Sequence, residues 1–174
     1  MIKKVTILLI LITWPTAVWS QSAVFAGGSF WVMEALFTQQ VGIHKVTVGW
    51  VLDKDQQPIR QGVLLDYDPE LVSYGELLTL YWSAIDNADS QGQYCDRGRE
   101  YSPAIYIDGP LQQRWAQQSR AQRALELKLR PLVPILPMRD FKVAPARHQR
   151  YFLQHPILYS LYRYYCGYPA RSGV

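Results

Sequence analysis

Histidine and cysteine are scarce in this 174-residue chain, which has three histidines (His44, His148, His155) and two cysteines (Cys95, Cys166). None of them falls in an H-E-x-x-H or C-x-x-C spacing, so a zinc site or a close redox pair has no support. Internal repeats and low-complexity tracts are absent, and no apolar run reaches the roughly 20 residues that span a bilayer. An excess of one charge is missing too. The formal charge of +4 sets 18 Lys and Arg against 14 Asp and Glu, and setting Lys3 and Lys4 aside leaves 16 against 14. That balance excludes the strongly basic footprint of a nucleic-acid binder. Arg114, Arg120, Arg123, Lys128 and Arg130 share one expected helix, but scattered among Gln and Ala they read as a solvated face.

What is present begins at the amino terminus. Lys3 and Lys4 precede an apolar run from Val5 to Trp14, then Pro15 and small residues. This is the pattern of a secretory signal peptide over residues 1–20, a membrane anchor being the alternative. Residues 21–174 are then expected as one domain, a soluble monomer in the periplasm or secreted, with no membrane span of its own. In an oxidising compartment two cysteines permit a disulfide.

The pattern downstream alternates strands and helices. "HKVTVGWV" (44–51), "QGVLLDYDP" (61–69), "AIYID" (104–108) and "VPILPM" (133–138) read as strands. Ser73 with Glu76 forms a capping box opening a helix, in which Leu77, Tyr81 and Trp82 are assigned to the core. Residues 110–130 read as a long polar helix with Leu111, Trp115, Leu125 and Leu129 on its buried side. Residues 87–103 form a loop long enough to be functional, and the chain closes in a helix, a break at Pro156 and a tyrosine-rich tail. The interleaving, with hairpin-length as well as crossover-length connections, indicates a two-layer α/β or α+β sandwich.

One stretch resists a purely structural reading. "FAGGSFWVMEALF" (25–37) runs from a short strand through two glycines into Ser29 and a helix opened by Phe30 and Trp31. As a helix N-cap Ser29 is well placed. As a hydrolase nucleophile it is not, because the G-x-S-x-G elbow would need glycine where Trp31 stands.

Taken in order, "FAGGSFWVMEALF", "YDPELVSYGELLTLYWSAID", "GQYCDRGREYSPAIY", "ILP" followed by "HQRYFLQHP", and "YRYYCG" resemble the methionine sulfoxide reductase A family from about Ala23 to about Arg171. The resemblance implies a ferredoxin-like α/β sandwich and reduction of methionine S-sulfoxide in peptides or proteins. It also implies a cysteine nucleophile after the two glycines, a glutamic acid that protonates the departing oxygen, and a tail cysteine that takes over the oxidised thiol. No bound cofactor is implied, and a thioredoxin-like thiol donor is needed only if the chain is active. Phe30, Trp31, Asp96 and Tyr101 match the family's substrate pocket, and Cys166 its recycling position.

The departures are as specific as the matches. Ser29 occupies the nucleophile's position and Gln61 the acid's. The loop between Gly49 and Gln61 is shorter than is usual for the family and lacks the tyrosine that in the family reaches the sulfoxide, and Pro145 and Arg147 stand where an acid and an aromatic are expected. Three readings follow: a pseudoenzyme that keeps a methionine sulfoxide pocket, a reductase that uses Cys95 or Cys166 as its thiol, and a structural scaffold. Cys95 and Cys166 are either a structural disulfide or a relic redox pair.

Overall fold

Side chains alternate across the first strand, and that alternation builds the two faces of the protein. In the computed structural model, which describes residues 20–169, β1 (Gln21–Ala26) sends Ala23 and Phe25 to one side and Val24 and Ala26 to the other. The expected signal peptide lies outside the described residues except for Ser20.

β1 pairs antiparallel with β3 (Pro58–Tyr67) and β6 (Ala104–Ile107), and β3 forms a hairpin with β2 (Ile43–Leu52). The hairpin turn is fixed by Asp53, whose Oδ1 accepts the backbone N–H groups of Asp55 and Gln57, both at 2.9 Å. Two short elements extend the sheet, β7 (Ile135–Pro137) parallel to β6 and β8 (Phe141–Val143) antiparallel to β2, giving the order β7-β6-β1-β3-β2-β8. The β6-β1-β3-β2 core with α1 (Phe30–Phe37) and α2 (Tyr74–Ala84) between its strands is the ferredoxin-like arrangement. A separate ribbon of β4 (Gly92–Gln93) and β5 (Asp96–Arg97) lies in the long loop.

The larger core lies between the sheet and the helices. Phe25, fully buried, stacks on Phe37 at 5.3 Å and Tyr81 at 5.1 Å between ring centroids. Burying a ring of that size stabilises the fold by about 2 to 3 kcal/mol. The Tyr81 hydroxyl donates to Ala26 O at 2.8 Å, so the buried phenol ties α2 to the end of β1, where the glycine turn begins. The Ser73–Glu76 capping box starts α2, Ser73 N donating to Glu76 Oε2 at 2.7 Å and Glu76 N to Ser73 Oγ at 3.2 Å.

The expected buried side of α3 (Pro110–Leu127) needs correction. Leu111, Trp115, Leu125 and Leu129 are exposed, and Ala116 is the fully buried residue of this helix. The short Ala116 side chain lets the α3 backbone approach α2 closely. Beside it Ser119 Oγ accepts from Trp82 Nε1 at 2.5 Å, and the Arg123 guanidinium donates to Trp82 O at 3.4 Å. Arg120 reaches Val133 O at 3.5 Å. Two of the basic residues read as solvated thus lie on the packing side, their stems covering apolar surface.

After β8 the chain turns into α4 (Tyr151–Gln154) and, at Pro156, α5 (Pro156–Tyr165). Gln149 pins this arm to the sheet: its Oε1 accepts Val48 N at 3.0 Å, while its Nε2 donates to Val48 O and Ala144 O, both at 2.9 Å. No helix among the described residues is long and apolar enough to cross a membrane.

Candidate functional site

The amino terminus of α1 gathers the site, because its first backbone N–H groups have no partner within the helix. Ser29 is the N-cap, with extended φ −63° and ψ 133°, and its Oγ accepts from Trp31 N at 3.3 Å. Ser29 N donates to Asp96 Oδ2 at 3.3 Å and Phe30 N to Gln61 Oε1 at 3.2 Å. Asp96 comes from the β4–β5 ribbon and Gln61 from β3, opposite Trp50. A carboxylate at this helix end is also favoured by the helix dipole.

Ser29 is 5% exposed, and its hydroxyl accepts from the Trp31 amide. That amide is a donor and not a base that could activate it. The tail closes over it: the hydroxyls of Tyr162 and Tyr168 both donate to Asp96 Oδ2, that of Tyr168 at 2.5 Å. Burial first, and the Asp96 carboxylate second, push both phenols well above their ordinary pKa, so they stay neutral donors. Gly28 has φ +75°, and a Cβ there would collide with the Tyr168 hydroxyl. Glycine at this position serves both the turn and the close approach of the tail.

Gln61 also donates from Nε2 to Glu100 Oε2 at 3.3 Å, and Tyr101 O accepts Gly28 N at 2.9 Å. Burial raises the Tyr101 phenol, and the neighbouring Glu100 and Asp96 charges add to the shift. Cys95, next to Asp96, is joined to Cys166 at the end of α5 across a sequence separation of 71 residues, with Cα atoms 5.0 Å apart. Cys95 is exposed and Cys166 half-buried.

Phe30 and Trp31 belong to an aromatic cluster beside the cap. Phe30 is 3% exposed, edge-on to Trp50 at 5.6 Å and to His148 at 5.7 Å. Trp31 stacks on Tyr151 at 4.0 Å and on His148 at 6.0 Å. His148 Nδ1 and Trp31 Nε1 are buried without a hydrogen-bond partner. Burial, with the Arg147 charge second, lowers the His148 pKa and favours neutral imidazole.

Ser29, Gln61, Asp96 and Tyr101, singled out in the sequence, therefore converge on one helix end, with Phe30 and Trp31 beside it. Tyr162 and Tyr168 were not singled out, although their placement around Cys166 was the available signal. Trp50, His148, Tyr151 and Glu100 carried no local signal, since only the sheet register and the return of the arm bring them here. Among the described residues no group of three or more His, Cys, Asp or Glu could hold a metal ion.

A family profile described as "Peptide methionine sulfoxide reductase" matches residues 21–171. The chain belongs to the peptide methionine sulfoxide reductase family. Peptide methionine sulfoxide reductase MsrA 2 of Caulobacter vibrioides is 35% identical over 164 residues, 87% of this chain and 83% of that protein. Peptide methionine sulfoxide reductase MsrA 1 of Lactococcus lactis is 37% identical over 155 residues, 80% of this chain and 84% of that protein. Among solved structures, the reduced form of Mxr1 from Saccharomyces cerevisiae superimposes with a TM-score of 0.73 at 17% identity, covering 79% of this chain and 87% of that one. Methionine sulfoxide reductase A of Corynebacterium diphtheriae gives 0.68 at 22%, covering 82% and 78%. These two likenesses carry the family fold, in which the cap and its surrounding aromatics are set.

Proposed function

We propose that this chain is an exported family member that recognises methionine sulfoxide in peptides or proteins and has lost the chemistry of reducing it. The observation that carries the reading is Ser29, a buried hydroxyl that caps α1 at the position where the family's reaction needs a thiolate. Sulfur can take the oxygen as a sulfenic acid, which a second thiol returns to the ground state. An alcohol oxygen has no such reversible state, and without a base it is a far weaker nucleophile. Gln61 deepens the loss, since a carboxamide can donate a hydrogen bond but cannot deliver a proton as a general acid. Phe30, Trp31, Asp96 and Tyr101 are retained for recognition. The basic start and short apolar run of residues 1–20 support export. No resident cofactor is required, and the reading is of a monomer.

A second reading, a working reductase, is favoured by one observation: Cys95 beside Asp96 is already joined to Cys166. In such a cycle the Cys95 thiolate bonds to the sulfoxide sulfur, the oxygen leaves with two protons as water, and the Cys166 thiolate then attacks Cys95 Sγ, which breaks the new bond, releases the methionine thioether and closes the disulfide. A dithiol then restores both thiols. The yeast relative Mxr1 has been solved in complex with Trx2, a TM-score of 0.55 from this chain, which supports a thioredoxin-like donor for that cycle.

One experiment separates the two. Purified protein is given a methionine-S-sulfoxide peptide with dithiothreitol or thioredoxin, and peptide binding is measured in parallel. Binding without product supports the first reading. Multiple turnover that disappears in Cys95→Ser overturns it in favour of the second.

A further inference from the structure

We infer that the carboxy-terminal arm is a redox-released lid: the Cys95–Cys166 disulfide holds it over Ser29, and reduction of that bond opens the site to a methionine sulfoxide peptide. The inference rests on the binding reading proposed above and adds a control on access to that site.

The lid is built from the last described residues. Tyr168, 8% exposed, lies against Gly28, and the Tyr162 hydroxyl ends on the carboxylate that also holds Ser29 N. Both hydroxyls end on the same oxygen of Asp96, whose Oδ2 also accepts Ser29 N. The donors that close the site therefore come from the tail itself, and a peptide sulfoxide, whose oxygen needs donors, meets hydroxyls already committed to Asp96. Ser29 cannot be reached while Tyr162 and Tyr168 keep these positions.

The inner face of the arm packs Phe152, Tyr159 and Tyr168 against Val32 and Ala35 of α1, and its outer face is lightly held. On α5, Ile157 is 75% exposed and both Tyr164 and Tyr165 80%, so the outer face of this helix has little burial to lose. Tyr159 is its one fully buried residue. The covalent tie is placed where it matters, between the residue preceding Asp96 and the residue two before Tyr168. It is also open to attack, because Cys95 is exposed.

The chemistry is ordinary thiol–disulfide exchange. One thiolate of a small or protein dithiol attacks Cys95 Sγ, the Cys95–Cys166 bond breaks, and Cys166 leaves as a thiolate. The second thiol of the reductant then displaces Cys95. Two electrons pass to the protein, which takes up two protons as its two thiols form, and the reductant ends as a disulfide. In the oxidised protein the open form is a minor state, and the apparent affinity for peptide is weakened by that fraction.

The test compares oxidised protein, the same protein reduced with tris(2-carboxyethyl)phosphine, and the double variant Cys95→Ser/Cys166→Ser. Hydrogen exchange is followed over residues 159–169, and binding is measured with a fluorescent decapeptide carrying one methionine S-sulfoxide. The lid predicts that reduction speeds exchange in this segment at least about tenfold while β1 and β3 keep their protection. Peptide affinity should rise by a similar factor, and the double variant should behave as reduced protein without any reductant. Faster arm exchange with no peptide bound in any state upholds the lid and overturns the binding reading. Peptide bound equally well in all three states, with arm exchange unchanged, overturns the lid and leaves the binding reading standing.

Discussion

The Gln61 carboxamide bridges two groups of opposite kind, accepting Phe30 N at 3.2 Å and donating to Glu100 Oε2 at 3.3 Å. A carboxyl at position 61 would keep the first bond and face a second acid at the other. Two carboxyl groups so close cannot both ionise easily, and one is held protonated to higher pH.

That geometry shapes the expected rescue of catalysis. Ser29→Cys should give weak single-turnover reduction of a methionine-S-sulfoxide peptide with dithiothreitol. Adding Gln61→Glu should raise the rate by about 10²–10⁴-fold, the usual range for a general acid. If the double variant is no faster than Ser29→Cys alone, position 61 has no such role.

Ser29 should also matter to stability. Ser29→Ala removes the acceptor for Trp31 N and is expected to lower the unfolding free energy by about 1 kcal/mol, the usual value of an N-cap. Urea denaturation measures it.

Reduction of the disulfide should be visible in the melting curve. Opening a cross-link with a sequence separation of 71 residues removes about 4 kcal/mol by the chain-entropy estimate, or roughly 10 °C for a domain of this size. Freshly isolated protein should titrate no free thiol before reduction. Two free thiols, or an unchanged melting temperature, would contradict the pairing.

Glu34, 1% exposed on α1, gives the fold a pH dependence. Burial raises its carboxyl above the ordinary 4.5, while the backbone N–H groups of Arg150 and Tyr151 oppose the shift. The protonated form is the one the fold prefers. Its stabilising contribution is therefore complete below 4.5 and is lost as pH rises through the raised value. Glu34→Gln should remove this slope, so the stability difference moves in the variant's favour as pH climbs above 4.5. Equal slopes for the two proteins in urea titrations would refute it.

Local signals in the sequence carried much of this. The Ser73–Glu76 capping box, the strands around Val48 and Val63, and the start of α1 at Phe30 each depend on neighbours a few residues away. Ser29, Gln61, Asp96 and Tyr101 could be placed together only through the family resemblance. The buried side of α3 was misread because the spacing of Leu111, Trp115, Leu125 and Leu129 is helical, yet docking is decided by the small Ala116 and by polar groups that reach the Trp82 backbone and ring. Tyr162 and Tyr168 were illegible for another reason: their partner Asp96 lies more than 60 residues away, and no periodicity records such a contact.

The Gln149 side chain has the shape of one peptide unit, with a donor and an acceptor presented to Val48 as a neighbouring strand would present them. The five residues between Val143 and Gln149 thereby become a measured spacer, although they look like a loop. One residue inserted there would leave each strand intact and still pull the amide out of step, so this is a stretch where length is constrained more tightly than composition.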